Sequence, residues 1–175
     1  DKLISYLIDN KHWSPLEMVS ACLEIVTTRD VARQILRHRS FSFQEFSQRY
    51  ADPTKSLDFV IREARFQDSK NRQNSIDDIP QDKKETLQKK ISDHFSAAMS
   101  LYDELIEEGV AKECARFVLP LSTPTRIYMT GSVRSWIHYI DLRSAHGTQK
   151  EHMDLVQEVR GIFKQQFPIC SKALN

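Results

Sequence analysis

Residues 19–39 read VSACLEIVTTRDVARQILRHR, and the apolar period changes within them. Val19, Ala21, Leu23 and Ile25 alternate with Ser20, Cys22 and Glu24, which is the pattern of a strand with one apolar face. From Thr27 and Asp30 onward the spacing becomes four: Val31 with Ile35, and Ala32 with Leu36, make the apolar stripe of a helix. Arg29, Arg33 and Arg37 share another face of that helix, with Gln34 close to Arg37. A strand feeding a helix predicts a mixed chain, and it delivers Arg37-His38-Arg39 to a helix end where the backbone must turn.

Upstream of this stretch, LISYLIDN (3–10) reads as the end of a helix. Ser14, Pro15 and Glu17 fit an N-cap, a first-turn proline and a capping-box carboxylate, so a short helix is expected there. On the other side, residues 51–81 are polar and read as a loop excursion with a weak strand around Phe59 to Arg62. A long amphipathic helix is expected from about Lys83 to Glu108, with Phe95, Met99 and Tyr102 among its inward residues and Gly109 ending it. A shorter helix follows at 111–118, then a strand at 125–131 and a helix over SVRSWIHYIDLRS (132–144). Thr148 with Glu151 forms a second capping box before a last helix to about Phe167. Strands and helices in this order do not spell βαβ repetition, so the fold class is α+β.

At 175 residues, the chain reads as a single domain over 1–175, long enough to bury a core without disulfides. It starts at Asp1 and runs almost at once into a patterned segment, so an amino-terminal piece is expected to be missing. The net charge of +1 provides no global field toward nucleic acid or membrane. The longest apolar stretches, such as FVLPL at 117–121, are too short to span a bilayer, and a cytoplasmic protein (in the host cytoplasm if viral) is the expectation. Cys22, Cys114 and Cys170 are odd in number and widely spaced, which suits buried reduced thiols better than disulfides or zinc.

Arginine placement is more informative than net charge. Of thirteen arginines, five lie between 29 and 49 and four between 116 and 143, and neither window holds a lysine. The guanidinium fork binds phosphates and planar oxygen-bearing rings in a way that lysine does not, so two such windows suggest one anionic, planar ligand. With four glycines in the chain and no G-x-G-x-x-G or G-x-x-x-x-G-K, phosphate must be held by side chains. The six histidines show no metal-ligand spacing and no G-x-S-x-G elbow is present, so neither a metal centre nor a serine triad is expected. What remains is a site of arginines, amide, carboxylate and hydroxyls, which binds and polarises an anionic ring but needs a cofactor for redox chemistry.

Arg37-His38-Arg39, then seven residues, then Ser47-Gln48-Arg49-Tyr50 resembles the signature of the flavin-dependent thymidylate synthases. HWSPLE (12–17), ARQILRHR (32–39), ARFVLPL (115–121), TRIYMTGSVRSWIHYIDLRS (125–144) and QKEH (149–152) resemble segments of that family in the same order, over essentially the whole chain outside the 51–81 loop. The resemblance implies a central, mainly antiparallel sheet flanked by helices, in a homotetramer with shared active sites. It also implies conversion of dUMP to dTMP, with methylenetetrahydrofolate giving the carbon and FAD, reduced by NADPH, carrying the hydride.

Carried over by position, the resemblance places Gln34, Ile35, Leu36, Arg37, Glu45, Phe46, Ser47, Gln48, Arg49, Arg116 and Arg143 around dUMP. It assigns the catalytic role to Arg143, which would stabilise negative charge on the pyrimidine as its N3 proton is lost. Arg49 and the donors around Ser47 suit the phosphate, while Arg37 and Gln34 reach sugar and base. Ser14, Glu17, Arg37, His38, Arg39, Glu45, Ser132, Val133, Arg134 and His138 would line FAD, with His12 nearby. Two departures from the family pattern stand out. Ser132 and His138 take positions that are often asparagine, and Gln48 takes one that is commonly glycine.

Structural readings stand beside these. Arg29 and Arg33 are read as structural, paired with Asp30 or an acidic neighbour. Phe41, Phe43 and Phe46 are read as core or interface packing, and Trp136 and Tyr139 as core. An alternative of a different class is an RNA-binding module using the Arg/aromatic segment 29–50, and a third is a non-catalytic helical assembly protein. The +1 balance and Glu45 inside the motif argue against RNA.

Overall fold

A computed structural model describes residues 1–52, 57 and 59–174. The first helix, α1 (Lys2–Asp9), is followed by a 3-10 turn at Ser14–Glu17 and by strand β1 (Ser20–Thr28), which runs directly into α2 (Arg29–Ile35). Strand β2 (Ser42–Glu45) and a small hairpin of β3 (Phe66–Gln67) and β4 (Ser75–Ile76) come next. The 27-residue α3 (Gln81–Glu107) precedes α4 (Lys112–Ala115) and a 3-10 turn at Arg116–Val118. Strand β5 (Pro124–Ser132), α5 (Val133–Ser144), α6 (Lys150–Gln166) and a last 3-10 turn at Cys170–Ala173 complete the chain, an α+β arrangement. Among the described residues no helix is long and apolar enough to cross a membrane.

The main sheet has the order β1-β5-β2. Arg29 N donates to Thr123 O at 2.9 Å, and Val133 N donates to Val19 O at 2.8 Å. The residue numbers of each pair rise on one strand as they fall on the other, so β1 and β5 run antiparallel. Phe46 N donates to Arg126 O at 2.8 Å just beyond the end of β2.

The chain forms two compact units, and the boundary between them crosses the strands. The first comprises Asp1–Glu24, Gln34–Gln44 and the chain from Tyr128 onward; the second comprises Ile25–Arg33 and Glu45–Ile127. In the first, Trp136, Tyr139 and Ile140 of α5 and His152, Val156 and Phe163 of α6 are buried. Phe41 completes an aromatic cluster, edge-on to Trp136 at 4.8 Å and to Tyr139 at 5.8 Å. Gly131 makes room for it: a Cβ there would lie 2.4 Å from Phe41 Cδ1. In the second unit α3 buries Phe95, Ala98 and Tyr102, and Phe59 meets Phe95 edge-on at 5.7 Å. Gly109, at φ +82°, lets α3 stop with Val110 N on Leu105 O and Gly109 N on Ile106 O, which satisfies two of its last carbonyls.

Several local expectations are corrected. Ser14 is not an N-cap: Trp13 holds that position, no side chain caps the turn, and Glu17 is drawn to Arg134 instead. Thr148 does not open α6 either. Gln149 is its N-cap residue and donates from Nε2 to Glu151 Oε2 at 2.8 Å. No strand forms at 59–62, because Arg62 is pulled onto Asp30 and Thr28, and the short strands lie at β3 and β4. Asp30 goes to Arg62, and Arg29 faces an acidic neighbour, Glu45, at 3.7 Å. Leu36 lies beyond α2 and is exposed, while Cys22 and Cys114 are exposed and only Cys170 is buried. Residues 53–56 and 58 of the expected loop lie outside the described residues.

Candidate active site

In the first unit α2 ends at Ile35, and Arg37 N and His38 N turn back onto Gln34 O and Ile35 O at 3.4 and 3.0 Å. The Arg-His-Arg segment therefore sits in a tight turn, with Arg37 and Arg39 exposed and His38 half-buried. Helix α5 starts from an N-cap, with Ser135 N donating to Ser132 Oγ at 3.2 Å. Spacings of three and four then bury Val133, Trp136, Ile137 and Ile140, and they place Tyr139 and Arg143 one turn apart on the same side.

From that position Arg143 Nε donates to His38 Nε2 at 2.9 Å, and the His38 ring stands edge-on to Tyr139 with centroids 4.8 Å apart. Since His38 Nε2 accepts, its hydrogen is on Nδ1 and the ring is neutral. Burial, then the Arg143 charge, then that of His138, hold its pKa down at about 4. On the other side of Tyr139, His152 Nε2 lies 2.9 Å from the Tyr139 hydroxyl, and His152 Nδ1 lies 3.2 Å from Gln34 Oε1. Gln34 Nε2 donates to Gln149 Oε1 at 2.6 Å. Burial first, with Arg143 and His38 adding to it, lowers the His152 pKa to about 4, and burial raises that of Tyr139 well above the usual phenol range. Two of the residues expected at the pyrimidine, Gln34 and Arg143, are thus each tied to a neutral, buried or half-buried histidine on either side of Tyr139.

On a different face of α5, Arg134 pairs with Glu17 across 117 residues of sequence. Arg134 and His138 line a cavity of about 790 Å³ together with Trp13, Glu17, Ser40 and Ser135. Ser14 is exposed, Ser132 is committed to capping α5, and the Val133 side chain is buried. Ile35 is likewise buried, with its carbonyl accepting from His38 N at 3.0 Å, and Val133 N donates to Val19 O at 2.8 Å.

In the second unit Glu45 accepts from Thr125 Oγ1 at 3.0 Å beside Arg29. Ser47 opens a turn in which Tyr50 N and Ala51 N both donate to its carbonyl at 3.1 Å. Phe46 is half-buried, and Gln48 is buried, its Nε2 without a hydrogen-bond partner among the described residues. Arg49 donates through Nε and Nη2 to Glu113 Oε2 at 3.1 and 2.9 Å, and Arg116 Nε donates to Glu113 O at 3.3 Å. A carboxylate therefore already occupies the anion-binding fork of Arg49, so a phosphate would displace Glu113 to bind there.

Tyr139, Gln149, Glu151 and His152 were not among the residues expected at the site. A signal for two of them was present: Gln149 and His152 lie three apart at the start of a helix, and a histidine on the apolar face of α6 needs a polar partner.

Comparison with known proteins supplies the context. The family described as thymidylate synthase complementing protein matches residues 1–169. A probable flavin-dependent thymidylate synthase of Paramecium bursaria Chlorella virus 1 is 52% identical over 176 residues, covering 99% of this chain and 79% of the viral protein. The flavin-dependent thymidylate synthase of Synechocystis sp. is 50% identical over 174 residues, covering 99% of this chain and 80% of its own length. That of Kosmotoga olearia is 34% identical over 176 residues, covering 98% and 74%. None of the three is named for RNA binding.

Proposed function

The chain belongs to the thymidylate synthase complementing protein family, and on that basis we propose that it is a flavin-dependent thymidylate synthase, methylating dUMP to dTMP. The observation that carries the reading is near-full-length identity of 52% and 50% to proteins of that name. Methylenetetrahydrofolate is the carbon donor, NADPH the reductant, and a cytoplasmic homotetramer with shared sites the working form. The first unit supports the cofactor assignment, since the cavity beside α5 combines the Arg134 and His138 side chains with the Trp13 ring and the Ser40 and Ser135 hydroxyls. Such a mixture of cation, ring and hydroxyl suits the phosphates and adenine of a dinucleotide. FAD, when bound, supplies the hydride.

The chain's own residues have separate tasks in this reading. Ser14, Glu17, Arg37, His38, Arg39, Ser132, Val133, Arg134 and His138, with Glu45, hold the flavin nucleotide. Arg49, Ser47, Gln48 and Arg116 hold the dUMP phosphate, and Gln34, Ile35, Leu36, Arg37, Glu45 and Phe46 hold its sugar and base. Arg143 is the catalytic residue: its fixed charge favours loss of the N3 proton and makes C5 of the ring more nucleophilic. His38, neutral and accepting from Arg143 Nε, aims that guanidinium without competing for its charge.

A binding experiment tests the pairing of cofactor and substrate. Protein mixed with FAD and passed through gel filtration is expected to carry a flavin spectrum, and dUMP is expected to perturb it. Protein that emerges colourless from excess FAD overturns the proposal.

A further inference from the structure

We infer that His152 is a positioning residue for Gln34, holding its amide in one orientation through a one-way chain of hydrogen bonds from Tyr139 to Glu151. The inference rests on the reading of Gln34 as a contact of the pyrimidine nucleotide. Gln34 Oε1 can only accept, so His152 Nδ1, 3.2 Å away, carries the ring hydrogen. His152 Nε2 is then the acceptor, and the Tyr139 hydroxyl donates to it at 2.9 Å. On the far side Gln34 Nε2 donates to Gln149 Oε1 at 2.6 Å, and Gln149 Nε2 donates to Glu151 Oε2 at 2.8 Å.

All four bonds point the same way, and the end group decides the direction. Tyrosine, histidine and both glutamines can each reverse by rotation, tautomerism or an amide flip, but an ionised carboxylate only accepts. Reversing the chain would turn Gln149 Oε1 toward Glu151, and flipping Gln34 alone would set N–H against N–H at His152. Tyr139 and His152 are both 0% exposed, so water does not replace a lost partner there. The two bonds to Gln34 use one of its two N–H groups and one of its two carbonyl lone pairs. Its orientation therefore decides whether a nucleotide base meets a donor or an acceptor at each of the amide's remaining positions.

The test uses the FAD-loaded protein, with dUMP affinity read by calorimetry and KM and kcat by turnover. His152→Leu is expected to weaken dUMP binding roughly tenfold and raise KM, with the flavin spectrum unchanged. His152→Asn, which returns an N–H near the Nδ1 position, is expected to recover most of that loss. In a Gln34→Ala background, itself weaker for dUMP, His152→Leu is expected to add almost nothing. Unchanged dUMP affinity in His152→Leu, no recovery in His152→Asn, or a full loss persisting without Gln34 would each overturn the inference. If Gln34→Ala binds dUMP normally, the reading of Gln34 itself fails; if the unmodified protein makes no dTMP, the functional reading fails. Should His152→Leu not fold, Gln149→Leu removes the other tether at a half-buried position. It carries the same expectation, and undiminished dUMP affinity would contradict it.

Discussion

Replacing Arg143 with alanine is expected to cut turnover by about 10²–10³-fold while the protein still binds FAD. The size follows from the role proposed for it, a fixed positive charge beside the pyrimidine atoms where negative charge develops. Arg143 is held for that task twice over, by its place one turn beyond the buried Tyr139 and by its bond to His38 Nε2 at 2.9 Å. Arg143→Lys keeps a charge but gives up the planar fork and that aim, so it should recover only part of the rate. Steady-state dTMP formation on the FAD-loaded variants measures both effects. Unchanged formation in Arg143→Ala would reject the catalytic role of this residue.

The largest stability effect is expected from Trp136→Ala, at about 3–5 kcal/mol. Trp136 is 0% exposed and meets Phe41 edge-on at 4.8 Å and Tyr139 at 5.9 Å. Its Nε1 also donates to Ala21 O at 3.1 Å, fastening α5 to β1. Truncation leaves a cavity behind Tyr139, the ring that both His38 and His152 use. Calorimetry should show a melting temperature lower by on the order of 10 °C. A shift of a degree or two would mean that the aromatic cluster collapses around the gap or is not the core of this unit.

Periodicity made much of the fold legible. Alternation from Val19 to Ile25 and the spacing-four stripe through Val31 and Ile35 correspond to β1 and α2, and the apolar residues of α5 are buried apart from Leu142. Helix entry was less legible, because a capping box is a local signal that a distant partner can override. Glu17 goes to Arg134, and Gln149 takes the start of α6 while its side chain bridges Gln34 and Glu151. The β3-β4 hairpin was missed because side chains organise it: Asp68 Oδ1 accepts from Lys70 N at 2.8 Å and from Asn71 N at 3.1 Å. The candidate site was legible only through its resemblance to a family. Composition points to an anionic planar ligand and no further, and nothing local in the sequence identifies the partner of His152, since Gln34 lies 118 residues away.

Thymidylate synthesis by this chain can be read by incubating it with FAD, NADPH, methylenetetrahydrofolate and dUMP labelled with tritium at C5. Methylation at C5 must expel that hydrogen, so tritium release is expected to match dTMP formation and to require all four additions. An FAD-loaded protein that releases no tritium and forms no dTMP is not a thymidylate synthase.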